Sequence, residues 1–139
     1  MLDYREYDRW IVTAKRTLES AIGDLERGDY NWACFKAHQA SEFAVKALIH
    51  GLGIQGYGHS VYKLLDTLVR EGISISHDVV LCAKKLDKYY IPTRYPNAWI
   101  EGYPHEYYTR EESEEAIKCA KQIIEWVENT WRSLERGEN

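Results

Sequence analysis

The stretch from Trp32 to Leu52 constrains the fold most, because its small residues recur at the spacing of one helical face. The alanines stand three or four positions apart, at Ala33, Ala37, Ala40, Ala44 and Ala47. On a helix they form a narrow stripe that other helices can approach closely. Glu42 precedes Lys46 by four residues, the favourable order for an ion pair on a helix. We therefore expect a central helix that also carries a polar seam.

Four further segments have the apolar spacing of amphipathic helices, at residues 1–27, 61–71, 79–90 and 110–136. Their N-caps are predicted at Ser60, Asp78 and Thr109, and Asp29 is predicted to cap the central helix. Thr109 and Glu112 fit a capping box. The alternation around Ile73 and Ile75 is too short to predict a strand. The sequence predicts an all-α, up-and-down four- or five-helix bundle, a single domain over residues 1–139, with a frayed tail at 136–139.

The cysteines and the longest apolar run indicate the compartment. Cys34, Cys82 and Cys119 are an odd number, lie far apart and form no CxxC pair, and the chain shows no signal peptide. We expect reduced, buried thiols in a cytoplasmic protein, and no disulfide framework or zinc site. Lys46 and His50 interrupt the longest apolar run, which stays below the roughly 20 residues of a membrane span. We therefore expect no membrane partner.

The net charge and the spacing of the histidines limit which ligands the chain is expected to bind. The net charge of −4 argues against a protein that coats nucleic acid with a basic face, although a local basic site is compatible with it. His38, His50 and His59 do not share a metal-ligand spacing, and no acidic residue joins them as a third ligand. We therefore expect no metal and no cofactor.

Residues 92–108 form the strongest candidate binding segment. The segment contains all three prolines and several of the eleven tyrosines, so it is long for a connector and too aromatic for disorder. Arg94 stands between Pro92 and Pro96, which restrict the backbone, and its guanidinium can bind a phosphate with two hydrogen bonds. The alternative for Arg94 is a structural salt bridge to an acidic helix face, at Glu42 or Asp87.

Other candidates surround Arg94 in the sequence. Tyr89, Tyr90 and Tyr95 can stack on a base or hold a phosphate, although at least one of them is expected to be a core aromatic residue. Lys88 would add positive charge, unless it is simply solvated. His59 precedes the third helix and can act as acid or base near neutral pH, but we favour helix capping as its role.

Taken in order, several short pieces resemble the HEPN domain, named for a nucleotide-binding domain of higher eukaryotes and prokaryotes. They are Gly28-Asp29-Tyr30, Ala37 to Glu42, Lys46-Ala47-Leu48, Gly58-His59-Ser60, Leu86 to Tyr90, Thr93-Arg94-Tyr95-Pro96, and Glu115-Ala116 with Ala120. The resemblance covers roughly residues 5 to 130. It implies a small helical bundle that is usually dimeric, binds nucleotide or RNA, and often acts with a minimal nucleotidyltransferase in a toxin–antitoxin pair.

The resemblance also raises the question of nuclease activity. Many members look like metal-independent ribonucleases built on an arginine, four to six further residues and a histidine, whereas ten residues separate Arg94 from His105. Arg70 and His77 have six residues between them, but they lie at the third helix and the turn after it, so we interpret that match as coincidence.

Three functional hypotheses follow. The preferred one is a nucleotide- or RNA-binding domain that uses Arg94, with Glu42, Lys46 and Asp87 as supporting residues and Glu42 orienting the arginine. The second is an endoribonuclease in which Arg94 stabilises the phosphorane and His105 or His59 is the acid or base. The third is a purely structural dimerisation protein.

Overall fold

The computed structural model describes residues 1–137, and within this range the chain forms five α-helices and no β-strand. The helices are α1 (Tyr4–Arg27), α2 (Tyr30–Gly51), α3 (Val61–Arg70), α4 (His77–Asp87) and α5 (Arg110–Glu135). Two short 3₁₀ turns, Pro96–Ala98 and Pro104–Glu106, lie between α4 and α5. The predicted all-α bundle is confirmed. Of the predicted frayed tail, Glu138 and Asn139 lie outside the described residues.

Helix α2 is the centre of the bundle and contacts each of the other four helices. All five alanines of its small-residue stripe are fully buried. α1 and α2 form a tight antiparallel hairpin, because Gly28 takes a left-handed conformation at φ 83° and ends α1 two residues before α2 begins. Among these contacts, α2 packs most extensively against α1 and α5.

The last residue of α2, Gly51, has no room for a side chain unless its neighbours shift. Tyr7 and Trp131 stack there with ring centroids 4.0 Å apart, one from α1 and one from α5. A Cβ at Gly51 would lie 2.5 Å from Cζ3 of Trp131 and 3.2 Å from Cβ of Tyr7. A glycine at this position therefore allows the three helices to meet.

Two of the predicted helix caps are confirmed by their hydrogen bonds. Ser60 Oγ accepts from the backbone N–H of Lys63 at 3.0 Å, and Thr109 forms the capping box with Glu112. Asp29 occupies the N-cap position of α2, but its side chain makes no capping hydrogen bond.

The predicted start and end of α4 are wrong. Ser76, not Asp78, caps α4, because Ser76 has the extended backbone of a cap and its hydroxyl accepts from the N–H of Val79. Asp78 lies in the first turn, where its negative charge still interacts favourably with the positive end of the helix dipole. The helix ends at Asp87, whereas the apolar pattern extended it to Tyr90.

The expectation of three reduced cysteines is wrong for two of them. Cys82 of α4 and Cys119 of α5 form a disulfide with their Cα atoms 5.2 Å apart, while Cys34 is a buried free thiol. The pair is 37 residues apart in sequence and meets because α4 packs beside α5. Over residues 1–137, none of the helices combines the length and the apolar character needed to cross a membrane.

Candidate functional site

The backbone that presents Arg94 is held in place on both sides. The hydroxyl of Thr93 donates to the carbonyl of Tyr89 at 2.7 Å, and the indole N–H of Trp99 donates to the carbonyl of Pro92 at 2.8 Å. Asn31 of α2 donates from Nδ2 to the carbonyl of Thr93 at 3.0 Å. The segment that contains Arg94 is therefore joined to the central helix, α2, by a hydrogen bond.

Aromatic rings surround the guanidinium of Arg94. Its Cζ lies 4.2 Å from the ring centroid of Phe35, 4.5 Å from that of Tyr90 and 4.9 Å from that of Tyr95. Its Nε donates to the carbonyl of Tyr90 at 2.8 Å, and Nη1 lies 3.4 Å from the hydroxyl of Tyr95. Cation–π contacts of this kind contribute about 0.5–2 kcal/mol each. The rings thus hold the cation in one orientation.

Arg94 has no carboxylate within ion-pair distance in the part of the chain that the structure describes. The predicted alternative of a salt bridge to Glu42 or Asp87 is therefore wrong. Both acids are occupied by other partners, and stacking on Phe35 and Tyr90 replaces the ion pair. Nη2 makes no hydrogen bond to residues 1–137, so this edge of the guanidinium can bind a phosphate.

Glu42 orients a histidine and not the arginine, so this part of the preferred hypothesis is wrong. The Glu42 side chain is 2% exposed and accepts from Nζ of Lys46 at 2.9 Å. Its other oxygen lies 3.2 Å from Nδ1 of His59. The predicted capping role of His59 is also wrong, because Ser60 caps α3. A buried carboxylate instead holds His59 by Nδ1 and leaves Nε2 without a partner among residues 1–137.

Tyr90 connects His59 to Arg94. The imidazole of His59 stacks on the Tyr90 ring with a centroid separation of 4.7 Å and an interplanar angle of 16°. The guanidinium of Arg94 packs on the same ring. Because the His59 side chain is 57% exposed, an accessible imidazole and the guanidinium of Arg94 both pack on one aromatic side chain.

Asp87, at the end of α4, binds the start of α3. Its carboxylate accepts from the hydroxyl of Ser60 at 2.7 Å and from the backbone N–H groups of Val61 at 2.7 Å and Tyr62 at 3.1 Å. Nε2 of His38 lies 3.2 Å from the same group. Burial alone would raise the pKa of Asp87, but the hydrogen bonds from His38, Ser60 and the two amides outweigh it and lower that pKa. Asp87 therefore supports the site by joining α2, α3 and α4.

Three of the predicted residues lie outside this cluster. Tyr89 packs edge-on against Tyr108, at 5.9 Å between centroids, and burial raises its pKa, so it is the core aromatic residue expected among the three tyrosines. Lys88 is exposed at the C-cap of α4. His105 is exposed and stacks on Tyr103 at 5.5 Å. The structure thus places His59, and not His105, on the tyrosine ring that Arg94 also contacts.

The polar and aromatic cluster occupies an α-helical scaffold that has clear relatives. The model of the family described as HEPN domain matches residues 7–130 of the chain. The chain belongs to the HEPN domain family. No curated protein is significantly similar to it in sequence.

Several solved structures are similar to this HEPN domain. TT1696 from Thermus thermophilus has 46% identity and a TM-score of 0.86, over 88% of this chain and 96% of its own. ST0689, an archaeal HEPN homologue, has 40% identity and a TM-score of 0.76, over 89% and 96% of the two chains. An HEPN domain protein from Thermotoga maritima, tm0613, has 36% identity and a TM-score of 0.73, over 89% and 98%. The similarity therefore extends over nearly the whole domain.

Sequence reasoning missed several residues of the site in this HEPN domain. Asn31, Phe35 and His38 all contact the Arg94 segment, Tyr90 or Asp87. Together with Glu42 they are spaced four, three and four positions apart, which places them on one face of α2. That spacing is present in the sequence, but its residues are of mixed type, so the face stands out less than the stripe of alanines on another face of α2.

The positions of the possible ligand side chains in the described residues do not support a metal site. No group of three or more His, Cys, Asp or Glu side chains suited to a metal ion occurs within residues 1–137. The absence of a cofactor stays a prediction.

Proposed function

We propose that this HEPN domain binds a nucleotide or RNA through a phosphate held by Arg94. The observation that carries the proposal is a half-buried guanidinium fixed by three aromatic rings, with no anion beside it in the described chain. A positioned cation without a counter-charge favours an anionic ligand, and arginine pairs with phosphate through two parallel hydrogen bonds. Tyr95, which is 45% exposed beside the cation, is placed to stack on the base.

The other predicted residues have supporting roles in this proposal. Lys46 neutralises Glu42, which holds His59, and Asp87 holds the start of α3 next to it. Lys88 contributes long-range positive charge from the surface. Tyr89 belongs to the packing beneath the site and is not expected to touch the ligand.

Arg94→Ala tests the proposal, with Arg70→Ala as the matched control. Arg70 is an exposed arginine at the end of α3 opposite to His59 and Ser60. Affinity for fluorescein-labelled RNA is measured by anisotropy, and affinity for mononucleotides by calorimetry. Loss of a charge-assisted hydrogen bond costs about 1.5–3 kcal/mol, which corresponds to about 10- to 100-fold weaker binding. Equal affinity of Arg94→Ala and wild type, or no binding by either, contradicts the proposal.

A second candidate function, a metal-independent endoribonuclease, is supported by the pairing of His59 with Glu42 beside Arg94. In this reaction Nε2 of His59 takes the proton from a ribose 2′-hydroxyl, whose oxygen then attacks the adjacent phosphorus. The new O2′–P bond replaces the P–O5′ bond. The 5′-oxygen leaves with a proton from solvent water, and His59 releases the proton it took to solvent. Arg94 neutralises the charge that develops on the phosphoryl oxygens.

Cleavage of RNA in excess EDTA tests the nuclease. Activity should be lost in Arg94→Ala and in His59→Ala, and retained in His105→Ala, because His105 stacks on Tyr103 away from the cluster. If RNA binds but is not cleaved even at high enzyme concentration, the nuclease is refuted and only the binding function remains. Cleavage that depends on His105 and not on His59 refutes the assigned residue.

The family membership further supports a homodimer, with a minimal nucleotidyltransferase as partner in a toxin–antitoxin pair. The cytoplasmic location stays a prediction, and the Cys82–Cys119 disulfide removes one of its grounds. Light scattering after size exclusion tests the dimer. Co-purification with a nucleotidyltransferase encoded by the adjacent reading frame tests the partner, and a monomer that captures none contradicts both.

A further inference from the structure

We propose that the Cys82–Cys119 disulfide is a reversible redox site, at which a protein dithiol reduces the bond and hydrogen peroxide restores it. The site lies between α4 and α5 and shares no residue with the cluster around Arg94, so the inference does not depend on what Arg94 binds. The consequence of reduction is the release of α4 from α5.

The disulfide lies in the wall of an open groove and not in the closed core. This groove between α4 and α5 has a volume of about 580 Å³, and both cysteines are among its lining residues. Cys82 is 7% exposed and Cys119 is 6% exposed, whereas the free Cys34 is fully buried. Thiol–disulfide exchange requires a thiolate to reach one of the two sulfur atoms. The groove therefore gives a reductant access to the bond without unfolding of the domain.

The side chains around the groove also suit the reduced form. Oε1 of Gln122 lies 3.6 Å from Sγ of Cys82, so after reduction it can accept a hydrogen bond from the Cys82 thiol. A cation beside a sulfur stabilises the thiolate that leaves when the bond breaks. Lys118 lines the groove and has no carboxylate within ion-pair distance among residues 1–137. The other charged lining residues are Lys85, Asp78, Glu114 and Glu115, of which Lys85 and Glu115 pair with each other.

Few other polar contacts join α4 to α5. Within residues 1–137 they are the ion pair of Lys85 with Glu115 and the contact of Cys82 with Gln122. Both side chains of the ion pair are 57% exposed, and exposed ion pairs contribute little to stability. The disulfide is therefore the strongest single link between the two helices.

The C-terminal end of α4 stays in place when the bond breaks. Asp87 binds the start of α3, and Leu86 is fully buried. Neither contact involves the disulfide, which is attached at Cys82 in the middle of the helix. Reduction therefore allows α4 to open from its N-terminal end, while its C-terminal end remains fixed to α3.

The reaction in each direction is a two-electron step. A thiolate of the reductant attacks one sulfur, the S–S bond breaks, and the released thiolate takes a proton from solvent. The second thiol of the reductant then resolves the mixed disulfide, which leaves two protein thiols and an oxidised reductant. In the return, one protein thiolate reacts with hydrogen peroxide to give a sulfenic acid and hydroxide. The other thiol displaces the hydroxyl group as water and restores the disulfide.

The kinetics of reduction test the accessible site. The native protein is incubated with dithiothreitol or with reduced thioredoxin, quenched in acid, unfolded and labelled with a thiol reagent for mass spectrometry. The thiol count should rise from the single thiol of Cys34 to three. We expect the rate to rise with reductant concentration and to be unaffected by urea below the unfolding transition, because direct attack exposes no further surface. A rate that increases with urea in this range shows that the bond is reached only by unfolding, and overturns the inference.

Gln122→Leu tests whether the groove stabilises the reduced form, and Gln55→Leu is its control. Gln55 lies at an exposed position of the loop between α2 and α3, away from the groove. Loss of the acceptor for the Cys82 thiol should shift the equilibrium towards the disulfide about two- to fivefold in a fixed mixture of reduced and oxidised dithiothreitol. Gln55→Leu should leave the equilibrium unchanged. An unaltered equilibrium in Gln122→Leu contradicts the inference.

Hydrogen exchange measured by mass spectrometry tests the release of α4. The oxidised protein is compared with the reduced protein and with the Cys82→Ser/Cys119→Ser variant. We expect the amides of α4 to exchange faster in both disulfide-free forms than in the oxidised protein, and by a larger factor than the amides of α2. Hydrogen peroxide should restore slow exchange in the reduced protein but not in the variant. An equal increase in all helices indicates a general loss of stability without release of α4 and overturns the inference. The reduced wild-type protein decides the result if the variant does not fold.

Discussion

Asn31 donates a hydrogen bond from Nδ2 to the carbonyl oxygen of Thr93, 62 residues later, at 3.0 Å, and both residues are buried. This bond joins the first turn of the central helix to the residue immediately before Arg94. The position of the guanidinium therefore depends on a side chain that need not touch the ligand.

Replacing Asn31 by Asp removes the donor while keeping the shape of the side chain. The carbonyl of Thr93 loses its partner and faces a carboxylate, so we expect a loss of about 1–3 kcal/mol in unfolding free energy. RNA affinity should fall about three- to tenfold because Arg94 is less well positioned. Urea unfolding and anisotropy measure the two effects. Asn97→Asp, at an exposed position of the same segment, should change neither, and an unaltered affinity in Asn31→Asp argues against the positioning role.

Asp87 should make stability dependent on pH at the acidic end. Its pKa is lowered in the folded protein, so its contribution is complete above the unfolded value of about 3.9 and is lost as the pH falls through the folded value. Asp87→Asn should cost about 1–2 kcal/mol at pH 7, and this difference from wild type should shrink below about pH 4. Urea unfolding at both pH values measures it. Asp66→Asn, on the exposed side of α3, should have little effect, and a difference that grows at low pH would contradict the assignment.

Two helical glycines should respond to alanine with opposite signs. At Gly51 the new Cβ meets the ring of Trp131 and the Cβ of Tyr7, so Gly51→Ala should destabilise the domain by about 1–3 kcal/mol. At Gly23 the nearest atom is the flexible Nη1 of Arg27 at 3.4 Å, so Gly23→Ala should stabilise α1 by about 0.5–1 kcal/mol. Melting temperatures of the pair give the result. A Gly51→Ala variant as stable as wild type would show that the three helices pack less closely than described.

The disulfide between Cys82 and Cys119 should be measurable through both stability and thiol count. It closes a segment of 37 residues, and its reduction should cost about 3–4 kcal/mol. The Cys82→Ser/Cys119→Ser variant should show the lower stability without reductant and no further change with it. Burial raises the pKa of Cys34 to about 12, so the native protein should not react with a thiol reagent and the unfolded protein should show one thiol per chain. Three thiols in the unfolded, unreduced protein would refute the bond.

The fold was predictable because its signals are local. The alanine spacing of α2 and the caps at Ser60 and Thr109 each depend on residues within one helix or its first turn. The pairing of Cys82 with Cys119 is a contact between two helices, and no spacing rule along the chain specifies it. The predicted end of α4 was wrong for a similar reason. The apolar pattern continues to Tyr90, whereas the helix ends at Asp87, whose carboxylate binds the start of α3, and a contact between helices leaves no mark on the spacing.

The sequence identified the residues at the centre of the candidate site but not the contacts that connect them, and their role in binding stays a prediction. Arg94 and Tyr90 were found because prolines and tyrosines mark an ordered, aromatic segment. The partner of Glu42 was missed because it depends on the rotation of α2 and on where the loop before α3 passes, which bring His59 to the carboxylate. Stacking of Arg94 on Phe35 was missed because the two residues are far apart in the sequence and meet only through the packing of the Arg94 segment on α2.

The four hydrogen bonds that converge on Asp87 also determine how the domain opens. A local fluctuation that frees the start of α3 must break the carboxylate's contacts with α3 and expose the buried His38 of α2. Opening of α3 is thereby coupled to the central helix, the most buried part of the bundle. The amides of Val61 and Tyr62 should then exchange with solvent deuterium at rates close to those of mid-α2, although they lie in the first turn of a ten-residue helix next to a glycine-rich loop. In Asp87→Asn the amides of Val61 and Tyr62 should exchange faster than those of mid-α2 and independently of them.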